Sequence, residues 1–302
     1  MWGTSSAPTD RKHTTITNLP SSIVLIIPPP PSFRFTPPPT IRYPSIPATI
    51  IFQPERDRRI CGSGSIMLGV FSGSIVPPPG ELVAAGNRTP SPKITGEALV
   101  RRFIDSTTGA ISARVGDEVH LAFTHHKESL LLPRWFAVKD EIFCLFEGAL
   151  DNLGSLMQHY GLAKSANEAV LVIEAYKALR DRAPYPASHM VGHLSGSFAF
   201  IVYDGSTSML FVATDQFGKV PLYWGITADS CVAFADDADL LKGACGKSLA
   251  SFPQGCFFST AVGELRSFEN PKNKITAIPA EEEEIWGAKY QVEGPAVLLA
   301  PK

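Results

Sequence analysis

The chain has 302 residues, of which 44% are hydrophobic and 19% charged, and its formal net charge is −2. This composition supports a packed core, and the balanced charge excludes broad electrostatic attraction to nucleic acid or to an anionic membrane. The longest apolar run, Ile23 to Ile27, is too short to cross a bilayer. We therefore expect neither a nucleic-acid partner nor a transmembrane segment.

Residues 1–66 are rich in proline and carry more Arg and Lys than Asp and Glu. Such proline spacing disfavours helices and central strands, so we expect a disordered or polyproline-like extension. Three origins are open: a regulatory tail with docking sites, a transit peptide directing the chain to a plastid, or a stretch joined to a true start at Met67 by a wrong gene model. We favour the third, because Met67 opens a clear strand pattern, and we expect residues 67–302 to form one domain.

From Met67 onward, the pattern predicts strands with helices between them. The predicted strands are 67–71, 119–123, 135–138, 142–146, 197–203, 209–213, 222–225, 231–234, 255–258 and 264–268. A short helix is predicted at 96–105, after a turn at 77–80. Glu147-Gly148 is predicted to end the strand that begins at residue 142.

Two helices are predicted in the middle of the domain. The first spans 150–160 and ends at Gly161, a residue that accepts the left-handed conformation after a helix. The second begins with Ser165-Ala-Asn-Glu168, which has the form of a capping box, and stops at Pro184. Because many strands are continuously apolar, we expect an α+β fold in which each sheet is covered by the other sheet and by helices.

The five cysteines are Cys61, Cys144, Cys231, Cys245 and Cys256. Their number is odd and no two have C-x-x-C spacing, so neither a disulfide framework nor a zinc site is expected. This usage favours a reducing compartment. We expect a cytoplasmic location, with the nucleus also open, and no metal or other cofactor.

Several segments, taken in order, resemble the glutaminase domain of asparagine synthetase. They are Met67-Leu-Gly-Val-Phe71, Cys144-Leu-Phe-Glu-Gly-Ala-Leu-Asp-Asn152, Phe198-Ala-Phe-Ile-Val-Tyr-Asp204, Asp215-Gln-Phe-Gly-Lys-Val-Pro-Leu-Tyr-Trp-Gly225 and Phe252-Pro-Gln-Gly255. The resemblance implies a class II glutamine amidotransferase-like domain of the N-terminal-nucleophile type. Its fold would be a four-layer αββα sandwich of two mainly antiparallel sheets.

A second resemblance is closer. Tyr160-Gly-Leu162 and Leu179-Arg-Asp-Arg182 are similar to the YGL and LRDR motifs of plant aluminium-induced and stem-specific proteins. Membership would imply a stress- or hormone-responsive plant protein with no settled biochemical activity.

Class II amidotransferases hydrolyse glutamine with an N-terminal cysteine, whose thiolate attacks the amide carbon while its own α-amine acts as the base. The resemblance places Leu68 at this cysteine, and an isobutyl group is no nucleophile. In this chain residue 68 is also internal, so it carries no free amine. The sequence therefore predicts a domain without catalytic residues.

The resemblance also assigns the remaining pocket positions. The arginine that holds the substrate carboxylate corresponds to His125, the oxyanion-hole asparagine to Glu147, and the aspartate that binds the substrate amine to Asn167 or Glu168. An ionised Glu147 would repel an oxyanion, although the Gly148 N–H could still donate to it. Leu68 and these five residues form the expected vestigial pocket for a small amino-acid-like ligand.

Each of these residues also has a structural interpretation. Glu168 completes the predicted capping box, Asn167 is expected as an exposed first-turn residue, and Cys144 as a buried inert thiol. Asp215 and Lys219 are expected to shape a glycine turn. Arg180, Asp181 and Arg182 lie where a helix ends, so they are either a cap with a salt bridge or a partner surface.

Three functional hypotheses follow. The first is a non-catalytic binding or regulatory protein on an amidotransferase-like scaffold. The second is an enzyme with relocated hydrolase or transferase chemistry on an amide or γ-glutamyl compound, using Cys144, His125 or Glu147. The third is a homodimeric interaction module that associates through a sheet edge or the Arg180–Arg182 face.

Overall fold

The computed structural model describes residues 67–88, 91–124, 135–182, 186–281 and 286–292, together with the backbone of 24–26 and 48–52. The two short backbone segments are strands, β1 (Val24–Ile26) and β2 (Ala48–Phe52), within the extension for which the sequence predicted no regular structure. Both are free of proline, so every residue in them can donate to a ladder. The rest of the extension lies outside the described residues.

The first sheet, sheet A, has ten strands in the order β1-β2-β4-β5-β3-β11-β10-β12-β16-β15. Apart from the parallel pairs β1–β2 and β12–β16, its strands run antiparallel. Their bounds are β3 Met67–Phe71, β4 Ala110–Val115, β5 Val119–Thr124, β10 Tyr223–Ile226, β11 Val232–Ala235, β12 Ala250–Ser251, β15 Ile275–Pro279 and β16 Ala288–Val292.

The second sheet, sheet B, has six antiparallel strands in the order β14-β13-β9-β8-β7-β6. Their bounds are β6 Phe136–Lys139, β7 Ile142–Leu150, β8 Gly196–Asp204, β9 Met209–Thr214, β13 Cys256–Ser259 and β14 Glu264–Ser267. The central strands β7, β8 and β9 are buried on both faces. This explains their continuous apolar sequence.

Helices cover the outer face of each sheet. Their bounds are α1 Gly80–Arg88, α2 Gly96–Ser106, α3 Leu153–His159, α4 Glu168–Asp181, α5 Ala187–Gly192 and α6 Ala238–Cys245. Three apolar clusters separate the layers: one between the sheets, one between sheet B and α3–α5, and one between sheet A and α2 and α6. The expected four-layer αββα sandwich of two mainly antiparallel sheets is confirmed.

Alternate residues of each strand enter different layers. On β3, Met67 and Phe71 belong to the cluster between the sheets, whereas Leu68 and Val70 belong to the helix-covered cluster. This period of two decides which predicted pocket residues can meet.

Two local predictions were wrong. The strand from residue 142 does not end at Glu147-Gly148 but pairs with β8 as far as Leu150, because Gly148 adopts a φ of 110° that few other residues tolerate. The capping box from Ser165 does not form. Asn167 is the N-cap, its side chain accepting from the Val170 N–H at 2.9 Å, and Glu168 is the first helical residue.

The predicted end of α3 is confirmed. Gly161 has a φ of 65°, and the Leu162 N–H donates to the Met157 carbonyl at 2.8 Å while the Gly161 N–H donates to Gln158 at 3.2 Å. This is a Schellman motif, and Leu162 packs against the cluster under the helices. The YGL motif is thus a helix terminator. In the described part of the chain, no helix has the length and apolarity needed to cross a bilayer.

Candidate functional site

Leu68, which the resemblance assigns to the cysteine position, is completely buried. It lies on β3 between Ala122 of β5 and Ala235 of β11, and its side chain belongs to the apolar cluster with helices α2 and α6. The residue is therefore part of the core on the helix-covered face of sheet A. Its side chain has no access to the layer between the sheets.

Two acidic residues, Glu147 and Asp236, lie at one end of the layer between the sheets. Phe143 and Leu145 of β7 face this layer, and Glu147 continues the same alternation. Asp236 follows β11 and accepts a hydrogen bond from the Met67 backbone N–H at 3.0 Å. The charge of Asp236 contributes to the raised pKa of Glu147. The start of β3 and the end of β11 therefore lie near Glu147 of β7.

Glu147 is largely buried, and its Oε2 atom has no hydrogen-bond partner among the described residues. Burial, together with the charge of Asp236, raises the pKa of Glu147 to about 8. A pKa of about 8 favours the protonated form of Glu147 at neutral pH, and the ionised form was the one expected to repel an oxyanion. A protonated carboxyl presents an O–H donor and a carbonyl acceptor, much as the asparagine amide of the active enzymes does.

Gly148 retains the backbone geometry that the motif requires. A Cβ built on this residue would lie 2.0 Å from the Ser197 carbonyl oxygen and 2.9 Å from the Phe198 Cα. No side chain fits in that space, and the φ of 110° is itself a glycine conformation. Strand β8 thus comes close to β7 beside Glu147.

The other predicted pocket residues are not brought to Glu147. Asn167 and Glu168 start α4, whose apolar face packs on Ile142, Cys144 and Phe146 at the outer face of sheet B. Asn167 uses its side-chain oxygen to cap the helix, and Glu168 is only 5% exposed. His125 lies outside the described residues.

The four described cysteines are poor nucleophiles. Burial raises the pKa of the completely buried Cys144 far above its usual value, and the pKa values of Cys245 and Cys256 to about 12. The half-buried Cys231 has its pKa raised to about 11, first by burial and then by the charge of Asp229. Because the thiolate is the reactive form, none of these positions supplies a replacement for the missing thiol.

Arg180 of the LRDR motif makes an internal ion pair. Its guanidinium lies 3.0 Å from the carboxylate of Asp204, which is completely buried at the end of β8, and 2.7 Å from Asp181. Burial opposes ionisation of Asp204, but hydrogen bonds from Ser206 and Arg180 outweigh it and hold its pKa below the usual value. Arg182 is exposed. A partner surface at Arg180–Arg182 stays a prediction.

Sequence reasoning missed Asp236. The residue is distant from Glu147 in the chain and belongs to none of the motifs that carry the resemblance. The one indication in the sequence was the position of Asp236 shortly after the predicted strand 231–234, where polar residues follow an apolar run. Only the pairing of β11 with β3 shows that it lies beside Met67.

The layers and the site define the class of the domain. It is a class II glutamine amidotransferase-like domain of the N-terminal-nucleophile type. The chain belongs to the Aluminium induced protein family, whose model matches residues 68–292.

Relatives support both statements. Stem-specific protein TSJT1 of Nicotiana tabacum is 43% identical over 149 residues, which is 49% of this chain and 99% of that protein. Asparagine synthetase 2 of Oryza sativa is 34% identical over 90 residues, 30% of this chain and 15% of the synthetase. The chain therefore matches only a small part of the synthetase.

Solved structures of low identity also match. The glutamine phosphoribosylpyrophosphate amidotransferase of B. subtilis superposes with a TM-score of 0.39 and 15% identity, covering 68% of this chain and 43% of the enzyme. A class-II glutamine aminotransferase domain protein from Silicibacter pomeroyi gives a TM-score of 0.35 and 9% identity, covering 65% of this chain and 91% of that one.

Proposed function

We propose that this protein is a pseudoenzyme with a binding or regulatory role in plant stress or hormone response, which holds an amino-acid-like ligand without hydrolysing it. The observation that carries the proposal is Leu68. Its side chain has no nucleophile and is completely buried among apolar neighbours on the helix side of sheet A. The buried, protonated cysteines offer no substitute.

The polar groups at Glu147 have features that suit a ligand. A neutral carboxyl can donate to the carbonyl oxygen of an amide or amino acid, and Asp236 adds a negative charge that would attract an amine. The resemblance assigns Glu147 to the oxyanion hole, and Asp236 contributes to the charge around it. Binding through these groups needs no covalent chemistry.

Hydrolysis is tested on the purified full chain with glutamine, asparagine and a γ-glutamyl anilide. We expect no release of glutamate, aspartate or anilide above the blank. The variants Glu147→Gln and Cys144→Ala serve as controls for contaminating activity, since activity that survives in both does not come from these groups. Turnover by the wild-type chain that Glu147→Gln abolishes would contradict the proposal.

Binding is tested by thermal shift with glutamine, asparagine, glutathione and free amino acids. We expect a ligand that raises the melting temperature at pH 7 and loses its effect above about pH 8, where Glu147 ionises. Glu147→Gln keeps an N–H donor at every pH, so its response should persist at pH 9. A wild-type response that is the same at pH 7 and pH 9, or the absence of any stabilising compound, would speak against this pocket.

One observation favours a second candidate, an enzyme with relocated chemistry. A protonated Glu147 next to Asp236 has a pKa near neutrality, as a general acid requires. Such an enzyme would act on an amide or γ-glutamyl compound without a covalent thioester. The hydrolysis assay above separates it from the pseudoenzyme.

A further inference from the structure

A half-open cavity of about 450 Å³ lies on the outer face of sheet B, where β8 begins. Its volume is within the range of small-molecule pockets. Its floor consists of buried or half-buried apolar side chains, and its rim consists of exposed residues that include an aromatic ring. The floor contains Leu194, Phe198 and Phe268, and the rim contains Gln216, Phe217 and Glu269.

This cavity is separate from the cleft at Glu147. Phe198 and Phe268 belong to the apolar cluster under helices α3–α5, whereas Glu147 points into the layer between the sheets. The sheet itself lies between the two sites. A ligand in one of them therefore does not need the other.

The rim is held in place before any ligand arrives. Asp215 is 1% exposed, and its carboxylate accepts hydrogen bonds from the backbone N–H groups of Phe217 at 2.7 Å and Phe198 at 3.1 Å. Its carbonyl accepts from Gly255 at 2.9 Å. This confirms the structural role expected for Asp215 and fixes the turn that carries Phe217 to the rim of the cavity. A fixed rim lowers the ordering cost of binding.

The Phe217 ring is 64% exposed despite this rigid support. The ring therefore presents an apolar face at the mouth of the cavity, where a ligand could contact it. The ring already attracts one cation, since the Lys219 ammonium lies 5.6 Å from its centroid. Among the described residues that line the cavity, Glu269 carries the one formal charge.

We propose that this cavity binds a small organic cation with an aromatic or aliphatic body. The body rests on Phe198 and Phe268, while the positive group lies between the Glu269 carboxylate and the Phe217 ring. Lys219 competes for the same ring, so it weakens the binding of a cation.

The proposal is tested by titrating the full chain with three molecules of nearly equal shape: benzamidine, which is a cation, benzamide, which is neutral, and benzoate, which is an anion. Binding is followed by ligand-observed NMR or calorimetry. We expect benzamidine to bind with a Kd on the order of 1 mM, usual for a molecule of its size. Benzamide and benzoate should each bind at least about tenfold more weakly, because they lack the charge that Glu269 pairs with.

Three variants locate the binding. Glu269→Gln should weaken benzamidine binding about five- to tenfold, and Phe217→Leu about three- to fivefold. Lys219→Gln should strengthen it about two- to threefold, because the competing ammonium is gone. Glu264→Gln is the matched control, since it removes the same charge from the exposed far end of β14.

Each outcome of these measurements either supports or overturns the proposal. Melting curves of all variants first show that the fold is kept. Equal affinity for the three probes, no benzamidine binding, or equal effects of Glu269→Gln and Glu264→Gln would overturn the proposal. So would an unchanged affinity in Lys219→Gln. None of these results bears on the proposed site at Glu147, whose test uses other ligands and other variants.

Discussion

The cleft between the sheets and the outer face of sheet B carry two different sets of motif residues. At the positions that the resemblance assigns to the chemistry, the chain has Leu68 in the core and Glu147 with a raised pKa. On the outer face, Gly161 ends a helix and Arg180 neutralises a buried carboxylate. The residues of the YGL and LRDR motifs therefore hold the backbone, while the loss of catalysis at the cleft is part of the proposed function.

Gly148 lies on β7 beside Glu147 and packs closely against β8. Its replacement should cause the largest loss of stability. In Gly148→Ala, the new Cβ would lie 2.0 Å from the Ser197 carbonyl oxygen at a φ of 110°. We expect a loss of more than about 4 kcal/mol in the free energy of unfolding, or no folded protein. Urea denaturation followed by circular dichroism measures it.

Gly161→Ala is the matched control, because Gly161 also has a positive φ but a Cβ there would meet nothing within 4 Å. A loss in Gly148→Ala no greater than in Gly161→Ala would show that the close contact of β7 with β8 is not the cause.

Breaking the ion pair of the LRDR motif should cause the next largest loss of stability. Arg180→Met leaves the completely buried Asp204 carboxylate without its guanidinium partner. We expect a loss of about 3 kcal/mol, the lower end of the range for breaking a buried pair, because Arg180 is 28% exposed. Arg182→Met, in the same motif but exposed, should change stability by less than about 0.5 kcal/mol.

The pH dependence of this effect has a definite sign. The pKa of Asp204 is lowered in the folded state, so its ionised form stabilises the protein above the unfolded pKa of about 3.9. That contribution disappears as the pH falls through the folded pKa. The difference between wild type and Arg180→Met should therefore be largest at neutral pH and shrink in acid. A difference that is constant from pH 3 to pH 7 would exclude the ion pair as its cause.

The contribution of Glu147 to stability should depend on pH in the opposite direction to that of Asp204. Its folded pKa is raised to about 8, so the folded state holds one more proton than the unfolded state between about pH 4.3 and pH 8. Stability should fall as the pH rises through this window. Glu147→Gln removes the dependence and should be more stable than wild type at pH 8.5, by up to about 5 kcal/mol for a pKa shift from about 4.3 to about 8.

At pH 4 the Glu147→Gln variant and the wild type should be equal. Glu264→Gln, which changes an exposed carboxylate, should follow the wild type at both pH values. If the stability of Glu147→Gln also equals that of the wild type at both pH values, the carboxyl of Glu147 is ionised in the folded state at neutral pH.

The sequence predicted those features that local chemistry determines. The apolar run at Met67–Phe71 became β3, and the Gly161 terminator formed as expected, because each depends on neighbours in the chain. The start of α4 was misjudged because Ser165 and Asn167 are both good N-caps, and only the burial of the first turn selects Asn167. Helix α1 was missed because its start at Gly80 follows three prolines that indicated a turn.

The site was harder to predict than the fold. Motif spacing located Glu147 but not its protonation, which depends on burial between two sheets and on Asp236 from a distant strand. Likewise, the spacing of Arg180 could not reveal Asp204 as its partner. In both cases the chemistry depends on the electrostatic environment, which exists only after the sheets have packed.

The smallest predicted effect tests whether YGL has a purely structural role. In Gly161→Ala a side chain must adopt a φ of 65° in open solvent, so we expect a loss of about 1 kcal/mol. Gly154→Ala lies on the same helix, where a Cβ also meets nothing within 4 Å and φ is ordinary. That change should stabilise the protein by up to about 1 kcal/mol. Opposite signs in urea denaturation would assign YGL to helix termination, whereas equal effects of the two changes would show that the left-handed turn is not what makes this glycine necessary.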